Sequence, residues 1–249
     1  MKNTITLTFR DQLRESSELS GGLLYDDLKE IQKYFKTLGA KSELVRLNTS
    51  LSREENINTT NAYILIVKNG VKYLEINPEE LLEEQKHLDT DKHTFMYGRV
   101  VDKTARHTLC FDDFDQEPDY ENKKERVYNF SQLPLLNKLR DKISCISGTK
   151  NLVCNGNYYY DVKKTYIGFH GDDERKTAIG VRLGEKFNLY FQWFFQGTPR
   201  GELWKFELKH GDMYFMCEKS IGSDWKKRDI YTLRHAASKY PKLVGIVEN

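Results

Sequence analysis

The sequence contains no run of about 18 apolar residues, which excludes a membrane-spanning helix as an expected element. Its first residues, MKNTITLTFR, lack the apolar stretch and small-residue cleavage site of a signal peptide, so an intracellular chain, cytoplasmic or nuclear, is expected. Net charge is almost absent: 39 Lys and Arg against 37 Asp and Glu leave +2. No global basic field of the kind found in many nucleic-acid binders follows from that balance, and a polyanion partner would need a local patch. Cysteine is sparse. Cys110, Cys145, Cys154 and Cys217 lie far apart with no CxxC pair, which argues for reduced thiols over a zinc or redox motif. No internal repeat or low-complexity tract is evident.

What the chain does have is aromatic side chains, 12% of its 249 residues, which suit the half-buried pleated surface of a sheet. Thr4 to Phe9 alternates as a strand. A helix is expected from about Leu23 to Leu38, with apolar residues at three- and four-residue spacing and Gly39 in the capping position. Ala62 to Val67, Asn69-Gly70 and Val71 to Ile76 read as a hairpin closed by a type I′ turn. Asn77-Pro78-Glu79-Glu80 reads as the start of a short helix, and a further helix is expected around Leu135 to Ile143. Beyond Asn157, short apolar and aromatic runs at Tyr158 to Tyr160, Tyr166 to Phe169, Ile179 to Leu183, Phe187 to Phe195, Leu203 to Leu208, Met213 to Met216 and Ile230 to Leu233 suggest a sandwich or barrel. The acidic and aromatic stretch from Phe111 to Glu121 reads either as a solvated loop or as a lid over a pocket.

The most informative segment is Ile167-Gly168-Phe169-His170-Gly171-Asp172-Asp173-Glu174. In extended chain, residues i and i+2 project to one face, so His170 and Asp172 offer an imidazole nitrogen and a carboxylate oxygen to one point. Two His and one carboxylate, with coordination positions left open, make the facial triad of non-haem Fe(II) oxygenases. In order along the chain stand Asn157 with Tyr159, then Ile167 to Glu174, Arg182-Leu183-Gly184, His210-Gly211-Asp212, and Arg228 with Thr232 and Arg234.

This ordered series resembles the AlkB-like branch of the 2-oxoglutarate- and Fe(II)-dependent dioxygenases, over roughly residues 150 to 236. The resemblance implies an α+β, mainly β chain. It would have a double-stranded β-helix (jelly-roll) core over 91–249, flanking helices, and an α/β extension over 1–90 packed on that core. It also implies Fe(II) as metal, 2-oxoglutarate and O₂ as cosubstrates, and a hydroxylation or oxidative demethylation, with a modified nucleobase among the candidate substrates. By the same resemblance Arg228 and Arg234 would bind the carboxylates of 2-oxoglutarate, with hydrogen bonds from Asn157 and Tyr159. Arginine's planar fork matches a carboxylate, and positions six apart share a strand face.

The sequence departs from that family at the third ligand. Counting 16 residues on from His210 reaches Lys226, whose ammonium has no lone pair for a metal. Of the six histidines, only His235 lies beyond the His210 turn, and it is the expected second imidazole, with His210 the alternative. Strand neighbours point oppositely, so Arg234 and His235 cannot both face a pocket without a bulge or a strand end. Were His235 to face the metal, Arg228 or Lys226 would take the far carboxylate. For a nucleic-acid substrate, Lys163-Lys164, Arg175-Lys176 and Lys226-Lys227 are candidate phosphate contacts, and Tyr158, Tyr160, Phe191, Trp193 and Phe194 candidate stacking partners, although alternating aromatics also suit a core. Hydroxylation of a small metabolite or protein side chain, and a jelly-roll that binds without turnover, are the other readings.

Overall fold

A computed structural model describes residues 2–11 and 21–246. Strand β1 (Thr4–Arg10) is followed by helix α1 (Tyr25–Thr37), β2 (Ser42–Arg46), α2 (Arg53–Ile57), β3 (Tyr63–Val67), α3 (Gly70–Tyr73) and α4 (Pro78–Lys86). Next come β4 (His93–Met96), β5 (Arg99–Asp102), β6 (His107–Asp112), β7 (Val127–Asn129) and α5 (Pro134–Ser147). The remainder is mostly strand: β8 (Val153–Tyr159), β9 (Tyr166–His170), β10 (Ala178–Gly184), β11 (Phe187–Phe195), β12 (Thr198–Leu208) and β13 (Met213–Met216), then α6 (Glu218–Ile221) and β14 (Thr232–Ser238). The fold is mixed α and β, mainly β.

Two sheets carry the architecture. The larger has eight strands in the order β2-β3-β13-β10-β1-β8-β6-β7, and the smaller has four, β12-β11-β14-β9. All recorded pairings are antiparallel except β6 with β7. From β8 to β14 the chain moves between the sheets: β8, β10 and β13 belong to the larger, β9, β11, β12 and β14 to the smaller. The first strand sits in the middle of the larger sheet, between β8 and β10. The sequence boundary at residue 90 therefore does not divide two units, because β1, β2 and β3 are strands of the same sheet as β8, β10 and β13.

The pattern Thr-Ile-Thr-Leu-Thr-Phe-Arg explains the placement of β1. Ile5, Leu7 and Phe9 fall on one face and join the main core together with Leu28, Ile31 and Phe35 of α1 and Leu136, Leu139 and Ile143 of α5. Thr6, Thr8 and Arg10 alternate onto the other face, towards a cavity.

Several sequence expectations meet the structure closely. Helix α4 is capped by Asn77, whose Oδ1 accepts from the Glu79 amide at 3.0 Å, and α1 ends one residue before Leu38, with Gly39 in the left-handed region. The final strand begins at Thr232, two residues later than expected, since Ile230 is exposed. The expected hairpin across Asn69-Gly70 does not form. Both edges of β3 are already occupied, by β2 and β13, so the chain after it has nowhere to pair. It turns instead into α3, and burial of Val71, Leu74 and Ile76 proceeds from a helical turn. Asp212 fixes the exit, accepting from the Asn69 amide at 2.8 Å and pairing with Lys68 at 2.9 Å. A two-residue turn with positive φ at both positions occurs elsewhere, at Tyr97-Gly98 between β4 and β5.

A fragment spanning residues 91–249 would expose the facing edges of β8 and β10 and lose β1 from the core. Such a fragment is expected to be unfolded or aggregated by circular dichroism and size exclusion; a soluble fragment with native strand signal would show that the first strand is dispensable. In the full chain, Leu7→Ala is expected to cost about 2–5 kcal/mol in urea denaturation.

Candidate metal centre

Strand β14 runs between β11 and β9, and its register places His235 directly opposite His170 at the end of β9. The two imidazoles lie with ring centroids 4.4 Å apart at an interplanar angle of 56°. Asp172 follows in the next turn, where its amide donates to the Ile221 carbonyl at 3.1 Å. Gly171 makes this approach sterically feasible, since a Cβ there would meet the Gly222 carbonyl oxygen at 2.0 Å and Trp225 Cβ at 2.7 Å. Asp172 Oδ1 lies 3.6 Å from His170 Nε2 and Asp172 Oδ2 lies 3.6 Å from His235 Nε2. One ligand atom from each of the three residues falls within 4.8 Å of the others, so the cluster could hold a metal ion.

The donor chemistry fits such an ion. His170 Nδ1 lies 2.8 Å from the Gly168 carbonyl, which can only accept; the proton therefore sits on Nδ1 and the Nε2 lone pair faces the cluster. Burial first, and then the neighbouring His170 ring and Arg175 guanidinium, hold the His235 imidazole well below its ordinary range, so it stays neutral. Arg175 Nε approaches Asp172 Oδ2 at 3.6 Å, while the Arg175 guanidinium is engaged more closely by Glu174. Two imidazole nitrogens and one carboxylate leave room on a six-coordinate divalent ion.

The cluster opens into a cavity of about 400 Å³. Thr6, Thr8 and Arg10 of β1, Asn155, Asn157 and Tyr159 of β8, and Arg182 of β10 line it from the larger sheet. Ile167, His170, Leu189, His235 and Ala237 line it from the smaller one. Asn157 and Tyr159, singled out in the sequence, thus do face the cluster's cavity. The Tyr214 hydroxyl also borders it, its pKa pushed up to about 12 chiefly by burial, so it remains a neutral donor.

Arg228 and Arg234, expected from the sequence to hold a cosubstrate, lie outside the cavity. Arg234 is on the opposite face of β14 from His235. Its guanidinium is 4.2 Å from the Phe194 ring centroid and 5.3 Å from that of Trp225, and it donates to the Trp225 carbonyl at 3.3 Å. Strict alternation along β14 is the reason: with His235 inward, its neighbour must point outward. Arg228 is exposed and donates to the Gln196 carbonyl at 3.3 Å. Lys226 is drawn off by Asp173. His210 also lies apart, with Nδ1 accepting from the Gly184 amide at 2.8 Å and Nε2 facing Glu79 at 3.2 Å.

The proposed stacking aromatics are likewise elsewhere. Phe191 and Trp193 are core residues, the Tyr158 hydroxyl donates to Gln85 at 2.9 Å, Tyr160 stacks on His107 at 4.6 Å, and Phe194 lies beneath Arg234. No residue from Phe111 to Glu121 lines the cavity, although Cys110 just before the stretch and Glu125 just after it do. The stretch is instead tied down by Arg140 to Asp113, the Asn129 amide to Asp115 at 2.9 Å and the Tyr120 hydroxyl to Asp91 at 2.7 Å.

Sequence reasoning missed Arg182. It is fully buried, its Nη1 donates to Thr6 Oγ1, and its Nε has no hydrogen-bond partner among the described residues. The guanidinium carbon stands 5.1 Å from the Phe187 ring centroid. A signal was present: an arginine at an alternate position inside the otherwise apolar run from Ala178 to Leu183 has to be buried if that run is a central strand.

The depressed pKa of His235 sets a pH dependence. In the unfolded chain its imidazole takes a proton near pH 6.5, whereas in the folded chain it does not, so the unfolded state binds more protons as pH falls below that value. Folded stability of the metal-free protein should therefore fall from about pH 6.5 downwards, by up to about 1.4 kcal/mol per pH unit from this group. Urea denaturation at several pH values should show a shallower slope in His235→Gln; an unchanged slope would contradict the assignment.

No family model matches the chain. No helix among the described residues is long and apolar enough to cross a membrane. The chain is 43% identical over 243 residues to a protein of Acanthamoeba polyphaga mimivirus described as "Uncharacterized protein R156", a match covering 95% of this chain and 96% of that one. On that similarity, running nearly end to end, the chain belongs to the family of this viral protein.

Proposed function

We propose that this protein is an Fe(II)- and 2-oxoglutarate-dependent dioxygenase, in the wider jelly-roll group that includes the AlkB-like enzymes. The observation that carries the reading is the convergence of His170, Asp172 and His235 at a polar cavity that also holds a fully buried arginine. The strand path supports it. Successive strands from β8 to β14 cross between two sheets, and β1 completes the larger one where a final strand would otherwise lie, antiparallel to both β8 and β10.

Held by the two imidazoles and the carboxylate, Fe(II) would let O₂ convert 2-oxoglutarate to succinate and carbon dioxide while the second oxygen atom enters a substrate C–H bond. The chain's own contribution is binding and orientation. Arg182 is the group we assign to the distal carboxylate of 2-oxoglutarate. It keeps its charge when buried, makes no ion pair within 4.0 Å among the described residues, and has an unused Nε. A buried guanidinium without a counter-ion is costly, and a bound carboxylate removes that cost with charge-assisted hydrogen bonds. Thr6, Tyr159 and Tyr214 surround the same region as neutral hydroxyl groups; burial raises the pKa of both phenols. The carboxylate of Asp172 leaves no place for a halide in its stead, so oxygen insertion is the outcome favoured over halogenation.

With Fe(II), ascorbate and O₂, the protein is expected to form succinate from 2-oxoglutarate even without added substrate, at the slow uncoupled rate. His170→Ala, Asp172→Ala and His235→Ala should each abolish it, and full activity in any one would refute the metal assignment. Arg182→Met should raise the KM for 2-oxoglutarate about 10- to 100-fold, matching the loss of one buried charge-assisted contact, whereas Arg228→Ala should leave it unchanged.

A further inference from the structure

We propose that the cavity contains a second anion seat, formed by Arg10 and Arg106, and that the substrate is a small molecule carrying a carboxylate or phosphate group. The assignment of that molecule as substrate rests on the dioxygenase reading; the seat itself does not.

Strand β8 lies between β1 and β6 and presents Asn155 and Asn157 to the cavity on one face. Each asparagine holds an arginine from a different flank. Arg10, at the end of β1, donates from Nε to Asn155 Oδ1 at 2.6 Å, and Arg106, just before β6, donates from Nε to Asn157 Oδ1 at 2.6 Å. An asparagine oxygen fixes a guanidinium without cancelling its charge, which an aspartate in the same place would do. Arg10 makes one further, longer bond, from Nη1 to the Asp11 carbonyl at 3.3 Å.

The cavity's charges do not balance internally. Of the acidic residues lining it, Glu125 is paired with Lys103 at 2.9 Å, Glu174 is paired with Arg175, and Asp172 belongs to the metal cluster. Arg10 and Arg106 both line the cavity and make no ion pair within 4.0 Å among the described residues. Burial and then the neighbouring Arg175 lower the pKa of Arg10, an effect that the charges of Glu174 and Asp11 only partly offset. With Arg182 given to the cosubstrate, two half-buried arginines still line the cavity. The asparagines that hold the two guanidinium groups are two apart on one strand, about 7 Å, so the pair is placed on neighbouring positions of one cavity face and suits one phosphate or two carboxylates of one small acid. Their position inside the cavity, away from any exposed aromatic ridge, favours such a molecule over a nucleic-acid backbone.

The test titrates inorganic phosphate and, separately, malonate into the full chain, first metal-free and then loaded with Zn(II) and saturated with 2-oxoglutarate so that the Arg182 region is filled. One of the two anions should bind in both series, and its identity names the headgroup. Arg10→Gln and Arg106→Gln should each weaken binding at least tenfold, and Arg228→Gln should not. Asn155→Ala and Asn157→Ala, which keep both arginines, should weaken it several-fold and cover the case in which an arginine variant fails to fold. Binding by neither anion, or binding indifferent to Arg10 and Arg106, overturns the seat. Binding lost on saturation with 2-oxoglutarate would make this the cosubstrate's place and overturn the substrate assignment. Absence of 2-oxoglutarate turnover with the anion still bound would reject the dioxygenase reading alone.

Discussion

The antiparallel ladder between β9 and β14 is the constraint on which the candidate centre depends. It sets His235 opposite His170, and the turn beyond β9 brings Asp172 to both. Because side chains alternate, a slip of one residue in β14 would carry His235 to the outer face and bring Arg234 into the cavity. The ladder with β11 resists that slip. Leu233 lies opposite Trp193 and His235 opposite Phe191, and all four side chains are buried. Packing of apolar residues on either side thus fixes the position of an otherwise costly buried imidazole.

A second constraint follows from β1. A strand that alternates threonine with Ile5, Leu7 and Phe9 can serve a helix-covered core and a polar cavity at once, and the centre of the larger sheet is where both are needed. The same alternation in β8 presents Asn155, Asn157 and Tyr159 to the cavity, with Cys154 and Tyr158 in the core. The result is a sheet with one apolar face and one polar one, with hydroxyl, amide and guanidinium groups facing the candidate metal-binding residues.

That polar face is chemically uneven. Its acids are engaged by Lys103, Arg175 or the metal cluster, while three arginines remain without carboxylate partners among the described residues. Desolvating cations in this way works against folding, so the arrangement makes physical sense as preparation for anionic ligands, whose binding supplies the missing charge. The 43% identity to the mimivirus protein extends over nearly both full lengths.

Local chemistry in the sequence sufficed for the helix start at Asn77, the alternation of β1, most strands beyond Asn157, and the pairing of His170 with Asp172 across one glycine. Those features depend on neighbours within a few residues. The resemblance, which calls for a distal imidazole, singled out His235 as the histidine beyond the His210 turn. Tertiary structure decided the rest. Val71 to Ile76 could not become a strand because β2 and β13 had already taken both edges of β3, and no local propensity reports edge occupancy. Arg228 and Arg234 carried the right charge and spacing, but which face of a strand looks inward is set by its partners across the sheet. Arg10, Arg106 and Arg182 are brought to one cavity by pairings between strands distant in the chain, and that convergence exists only once the sheet has closed.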